Sequence, residues 1–427
     1  MTLTHTVRVA CLVEAFPKLS ETFVLNQITG LIDRGHEVDV YPTYREEAGA
    51  THPSIQRYDL LNRTHYPQAP RNRLHRIFRA VWEATGRFKQ DTPRLVHAAL
   101  WPGHGQRPLN SKVFYDGLRF LGQTPYDIAH FQFGSVALTA LPLLAHGLIR
   151  GHVVVSLRGA DLFLSFENDP QGRERLIRLT DLFLPVSDTL RARIIAMGAP
   201  PERVEVHHSG IVLERFPFEP RTRVAGEPTR IASVGRFVPK KGFQHAIEAL
   251  ARVAAAGHDI TYHLIGSGRL QADLERQIAQ LGLQNRVWML GAQPHDKIIA
   301  ILRGMHILLT PSVTAPNGDQ EGIPNVLKEA MAMGMPVVST RHSGIPELVE
   351  HGVSGYLAAE GDAEALAQEL ARMIAEPERW RAMGKAGRQR VESEFNSQRL
   401  NDRLVTLYQS LRSGRLSSIE RRGSRTR

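Results

Sequence analysis

Short apolar, β-branched runs alternate along the chain with segments whose apolar positions recur every three or four residues. Residues 7–13 are the first such run and 37–41 the next. Between them Val24, Ile28 and Leu31 share one face of a helix expected over 21–33, which Gly35 ends. Alternation of this kind builds strand–helix–strand units and a parallel sheet. Further strands are expected at 128–133, 153–157, 182–186 and 204–207. The pattern breaks at residues 216–228, FPFEPRTRVAGEP, where three prolines predict a linker. A second series follows, with strands at 230–234, 261–265, 286–290, 307–310 and 336–339. The pattern therefore predicts an α/β chain of two doubly wound domains, 1–215 and 229–395. A helix at 396–411 is expected to pack back on the first, and a basic tail at 412–427 to be disordered. Domains of this kind take ligands in the crevice beyond the carboxyl ends of their strands.

Composition removes several alternatives. A length of 427 residues supports two cores without staples, and the lone Cys11, inside an apolar run, can form neither an internal disulfide nor a cysteine zinc site. Arg8 and Glu14 interrupt the N-terminal apolar stretch, and no apolar run reaches membrane-spanning length; the longest candidate, 135–149, carries Pro142, His146 and Gly147. A cytoplasmic protein is expected. The net charge of +10 is local: residues 63–119 hold eleven Lys or Arg against three acids, and 412–427 hold six Arg against Glu420. The rest of the chain is slightly acidic.

Two motifs carry chemistry. In ASVGRFVPKKGF, Gly235, Arg236, Lys241 and Gly242 lie between a strand and a helix. A planar fork of donors, a mobile cation and a helix N-terminus suit a diphosphate. In EGIPNVLKEAMAMGMPVVST, Glu321 and Glu329 are separated by seven residues, and Pro324 suits the first turn of a helix. Glu329 falls among Val326, Leu327, Ala330 and Met333 on a largely buried helix, where a carboxylate needs donors such as a ribose diol. Glu321 and the amides of Gly322 and Ile323 would face a sugar. Either motif alone has a plainer reading, a solvated basic turn or a structural ion-pair partner. Both lie where a strand ends and a helix begins in one domain, and together they describe a nucleotide-sugar site.

These residues make the chain resemble glycosyltransferase family 4, which has the GT-B fold of two Rossmann-like domains facing a central crevice. GRFVPKKG is similar to that family's phosphate loop, EGIPNVLKE to its Glu-x7-Glu signature, and ITYHLIGSG, LTPSV and STRHSGIPELVEHGVSGYL follow in the expected order. FPKLSETF and APNGDQEGIPNVLKEAMAMG resemble exopolysaccharide enzymes of the colanic-acid and amylovoran type. The resemblance implies Arg236 and Lys241 on the donor diphosphate, Glu329 on the ribose and Glu321 on the transferred sugar. Gly235, Gly266, Gly268, Gly322 and Ile323 would complete the donor site, with His130 close to the reacting sugar. It implies retention of anomeric configuration; with no carboxylate placed as a nucleophile in the first domain, front-face substitution is expected, with no cofactor and, since no Asp-x-Asp occurs, no metal. Where relatives carry a glycine-rich loop this chain has SETF, so the hydroxyls of Ser20 and Thr22 or helix amides would stand in for it. SLRGADL puts Arg158 where relatives often have histidine, so its role would be electrostatic, toward an anionic acceptor, and Asp161 in the same segment is a further acceptor-side or phosphate-side candidate.

The expected partners are a UDP-sugar in preference to a GDP-sugar and a lipid-linked oligosaccharide acceptor at the inner face of the cytoplasmic membrane. Residues 63–119 would touch anionic lipid through their charge and through Phe78, Val81, Trp82, Phe88, Leu95, Leu100 and Trp101. The alternatives are a sugar-nucleotide epimerase of the same fold and, more distantly, an NAD-dependent oxidoreductase, whose glycine fingerprint is absent after the first strand. No aromatic–basic platform for nucleic acid is present.

Overall fold

The computed structural model describes residues 6–18, 21–46, 52–67, 82, 91–100, 111–159 and 161–414. They form two compact units: residues 1–185, 191–207 and 401–427, and residues 186–190 and 208–400.

The first unit holds a five-stranded parallel sheet of β1 (Arg8–Phe16), β2 (Glu37–Arg45), β3 (Ile128–Phe131), β4 (His152–Leu157) and β5 (Leu182–Pro185), in the order β2-β1-β3-β4-β5. The inner strands β1, β3 and β4 are mostly buried on both faces, as a sheet covered by helices requires, while β2 at the edge is exposed at its ends. Helix Thr22–Asp33 stops where the sequence says it should: Gly35, at φ 77, donates to Ile32 O, and the His36 amide donates to Leu31 O. Cys11 is a core residue, and burial pushes its thiol up to about 12. Residues 204–207 do not make the expected full strand; they run beside β5 with a single bridge, Phe183 to Val204. The end of the chain completes this core. In helix Ser397–Arg412, Leu404, Leu407, Tyr408 and Leu411 join Val9, Cys11, Ile28 and Val154. Gly30 makes room for it, since a Cβ there would lie 1.9 Å from Asn401 Nδ2.

The second unit holds six parallel strands, β6 (Thr229–Val234), β7 (Ile260–Ile265), β8 (Val287–Gly291), β9 (Ile307–Thr310), β10 (Val337–Thr340) and β11 (Gly355–Ala358), in the order β11-β10-β9-β6-β7-β8. The order reverses between β6 and β9. That switch point splays the outgoing loops apart and creates the crevice in which such sheets bind ligands. The expected linker is not a free one. Phe216 is buried in this unit's core, the Glu219 amide donates to Met333 O, and the Arg221 guanidinium is buried against the carbonyls of Met305, Leu302 and Glu219. Prolines kept residues 216–228 out of a regular element without keeping them off the surface of one.

Much of the basic region expected to meet a membrane, including Phe78, Val81, Phe88 and Trp101, lies outside the described residues, as does 415–427. Of the remaining apolar candidates, Trp82 is 77% exposed and Leu100 49%, whereas Leu95 is fully buried and belongs to a core. No helix among the described residues is long and apolar enough to cross a membrane.

Candidate active site

At the switch point of the second unit the loop leaving β6 is pressed against the loops leaving β7 and β9. Phe237 is buried and its amide donates to Ser267 O, between Gly266 and Gly268. A Cβ on Gly266 would stand 1.9 Å from Gly235 O, and one on Gly242, at φ 64, 1.9 Å from Pro311 O. Only glycine permits these approaches. The Val313 amide donates to Lys240 O, which stitches the loops after β6 and β9 together.

Two lysines from the first loop converge on a carboxylate from the second. Lys241 Nζ lies 3.2 Å from Glu321 Oε2, and Lys240 Nζ lies 3.7 Å from Glu321 Oε1 and 3.0 Å from Asp319 Oδ1. Burial pushes the Glu321 carboxyl up, but the charges of Lys241 and Lys240 outweigh it and hold the group below the usual carboxylate range. Arg236, on the same loop, is exposed. The helix carrying Glu329 runs Asn325–Ala332, with Pro324 as its extended N-cap instead of its first residue. Gly322 and Ile323 therefore precede the helix. Their amides make no backbone hydrogen bond to another described residue, and the Ile323 side chain anchors the loop in the core. Glu329 is 7% exposed, and its Oε1 lies 3.1 Å from His295 Nε2. Its neighbour Lys328 is fully buried and donates to Ser209 O at 2.7 Å.

The candidates of the first unit are placed differently. His130 is 1% exposed, with Nε2 2.8 Å from Ser156 Oγ and Nδ1 2.6 Å from Tyr408 Oη. Both ring nitrogens thus have partners within the fold. Burial first, then the charges of Arg158 and His207, hold this imidazole well below its ordinary value. An imidazole kept neutral in the fold binds a proton only on unfolding. Its contribution to stability is thus complete above about pH 6.5 and lost as pH falls below that value. In Tyr408→Phe the loss of the hydroxyl is expected to cost about 1–3 kcal/mol, read as a fall in Tm at pH 8. An unchanged Tm would remove the network from the account.

Arg158 donates to Gln132 O at 3.0 Å and Gln132 Oε1 at 2.6 Å, and its guanidinium lies over the Phe23 ring at 4.3 Å. Thr22 opens its helix behind Glu21, which pairs with Lys18 at 2.7 Å; burial, opposed by that lysine, pushes the Glu21 carboxyl up. The glycine-free loop thus brings an acid as well as a helix start to the end of β1. Ser20 lies outside the described residues, as does the side chain of Asp161, whose backbone opens the turn Asp161–Phe166.

Residues 215–390 match the family of glycosyl transferases group 1. The chain is 36% identical over 388 residues to the amylovoran biosynthesis glycosyltransferase AmsK of Erwinia amylovora, covering 89% of this chain and 94% of that one. The chain belongs to the group 1 glycosyltransferases. It is equally similar, 36% over 411 residues, 93% of this chain and 98% of the other, to WcaL of Salmonella typhimurium, provisionally named a colanic acid biosynthesis glycosyltransferase. In fold it is similar to Anabaena HepE, solved in complex with UDP-glucose, with a TM-score of 0.68 and 19% identity over 95% of this chain and all of that one. The protein is thus a transferase of the GT-B type, and the epimerase and oxidoreductase readings are left without support.

Sequence reasoning missed three residues of this transferase's second unit. His295 opens the helix after β8, His342 lies two residues beyond the second motif and Glu360 follows β11, and only the packing of strand ends brings His295 to Glu329 and the His342–Glu360 pair to Glu321. Lys240 was legible as the neighbour of Lys241, but its ion pair with Asp319 was not.

Proposed function

We propose that this glycosyltransferase moves a hexose, with retention, from a nucleoside-diphosphate sugar to a growing lipid-linked surface polysaccharide. UDP is favoured over GDP as the carrier, and no metal or further cofactor takes part. The reading is carried by the convergence of Lys240 and Lys241 on Glu321 beyond β6 and β9. A diphosphate there would meet Lys241 and Arg236, and a sugar bonded to it would reach Glu321 and the amides of Gly322 and Ile323. Glu329, beside His295, would accept from the ribose hydroxyls. The bond from the anomeric carbon to the diphosphate breaks as the acceptor oxygen forms its bond on the same face, and the acceptor proton passes to the departing phosphate oxygen. Charge grows on that oxygen, so the two cations stabilise the transition state more than the bound donor.

The names of AmsK and WcaL support a polysaccharide acceptor, and the UDP-glucose complex of HepE supports a UDP donor. The charge of residues 63–119 supports contact with anionic lipid at the inner face of the cytoplasmic membrane. A panel of UDP- and GDP-sugars offered with lipid-linked oligosaccharides tests this through release of the nucleoside diphosphate. Release from UDP-hexoses in EDTA is expected. Release from GDP-sugars alone would overturn the donor assignment, and a requirement for a divalent cation would overturn the metal-free mechanism.

A further inference from the structure

One pair of side chains outside the donor motifs pins both ends of the loop of residues 314–321. His342 follows β10 and is 1% exposed; its Nε2 accepts from the Glu321 amide at 3.2 Å. A ring nitrogen that accepts carries no proton, so in the neutral ring the proton sits on Nδ1, which lies 2.7 Å from Glu360 Oε2. Glu360 follows β11, and its second oxygen accepts from the Thr314 amide. Burial raises the Glu360 carboxyl, and its bonds to His342 and Thr314 outweigh this and lower it, so it stays an acceptor at both oxygens. The first and last parts of the loop are thereby tied to the same two residues. Ser343, directly after His342, takes a left-handed backbone at φ 47, which a residue with a Cβ rarely adopts. The turn carrying the imidazole is held there against its local preference.

We propose that His342 and Glu360 are positioning residues that fix Glu321 for the donor sugar, acting through main-chain amides and touching no substrate. This rests on the reading of Glu321 as the sugar contact. The carboxylate of Glu321 is placed by Lys241 and Lys240, and Lys240 Nζ also donates to Gln320 O at 3.4 Å, but these contacts leave the Thr314 and Glu321 amides to the clasp. The histidine clasp supplies the rigid half. It also sets direction: with the proton on Nδ1 the clasp has one acceptor facing the Glu321 amide and one donor facing Glu360, and the opposite tautomer would set two donors against each other at the amide.

The test uses the full chain with His342→Ala, His342→Gln, Glu360→Gln and, as a check on the underlying reading, Glu321→Ala. In His342→Ala the kcat is expected to fall about tenfold to a hundredfold, the cost of misplacing a reacting-site group by about an ångström. Affinity for UDP alone, read by calorimetry, should stay at the parent's value, because Glu329, Arg236 and Lys241 are untouched. Amide hydrogen exchange should quicken across residues 314–324 and not elsewhere. His342→Gln should recover most of the lost kcat, since its carboxamide can accept from Glu321 and donate to Glu360. Glu360→Gln should behave like His342→Ala: whichever way its carboxamide turns, an N–H faces either the Thr314 amide or the ring N–H. Parental kcat in His342→Ala, unchanged exchange in the loop, or a loss of UDP affinity as large as the loss of kcat would each overturn the proposal. Parental turnover in Glu321→Ala would instead overturn the sugar-contact reading, and the exchange result would still decide whether the clasp orders the loop.

Discussion

Glu329→Ala is expected to lower kcat/KM for the donor by about a hundredfold to ten-thousandfold, because a ribose diol gives a carboxylate two charge-assisted hydrogen bonds worth about 1.5–3 kcal/mol each. The ribose takes no part in the bond exchange, so those bonds are equally strong in the bound donor and the transition state. The loss should therefore fall on KM, with kcat changed much less. UDP alone should lose affinity by a similar factor in calorimetry. Folding should survive. The substitution removes a carboxylate that is 7% exposed together with its desolvation cost, and it leaves His295 Nε2 without its partner at 3.1 Å. Glu329→Gln keeps the volume and one acceptor, and should fall between alanine and the parent. Parental KM in Glu329→Ala would show that the ribose lies elsewhere.

Lys241→Met should show the opposite division. The lysine meets the charged diphosphate of the bound donor and meets further charge as the diphosphate departs, so kcat should drop by about a hundredfold to a thousandfold while KM rises by a smaller factor. The same substitution should change the pH dependence of stability. Glu321 is pushed up by burial and held down chiefly by Lys241, then by Lys240. A carboxyl lowered in the fold stabilises above its unfolded value, about 4.3, and that stability is lost as pH falls through the folded value. Without Lys241, only Lys240 at 3.7 Å and the more distant groups oppose burial. The Tm of the variant should therefore lie below the parent's at pH 7, and the two should converge as the pH falls toward 3. A constant gap across that range would mean that Lys241 contributes through packing instead of charge. Loss chiefly on KM in one variant and chiefly on kcat in the other would separate donor holding from leaving-group stabilisation.

The arginine-rich region shows how far charge can be read without coordinates. Its excess was countable, but exposure was not: Leu95 looked like a candidate for insertion into lipid and is fully buried, while Trp82 is 77% exposed. Apolarity alone does not distinguish a residue that covers a core from one that meets a membrane. The same limit applies to His130. A histidine at the end of a buried strand, in a chain of this family, reads as a group beside the reacting sugar; its partners Ser156 and Tyr408 lie 26 and 278 residues away, and nothing in the local pattern announces them.

What the sequence determined by itself was the local and periodic part: two series of parallel strands, the helix stop at Gly35, the glycine-lined loop after β6, and two acids spaced to flank one helix start. These depend on backbone preference and on near-neighbour periodicity, which are written in consecutive residues. What only the tertiary structure decided was which distant groups complete each charge. Lys240 and Lys241 meet Glu321, His295 meets Glu329, and Glu360 meets His342, because parallel strands joined by helical crossovers bring loops far apart in sequence to the same end of the sheet. A buried polar group must find its partner in space, and spacing along the chain does not say who that partner is.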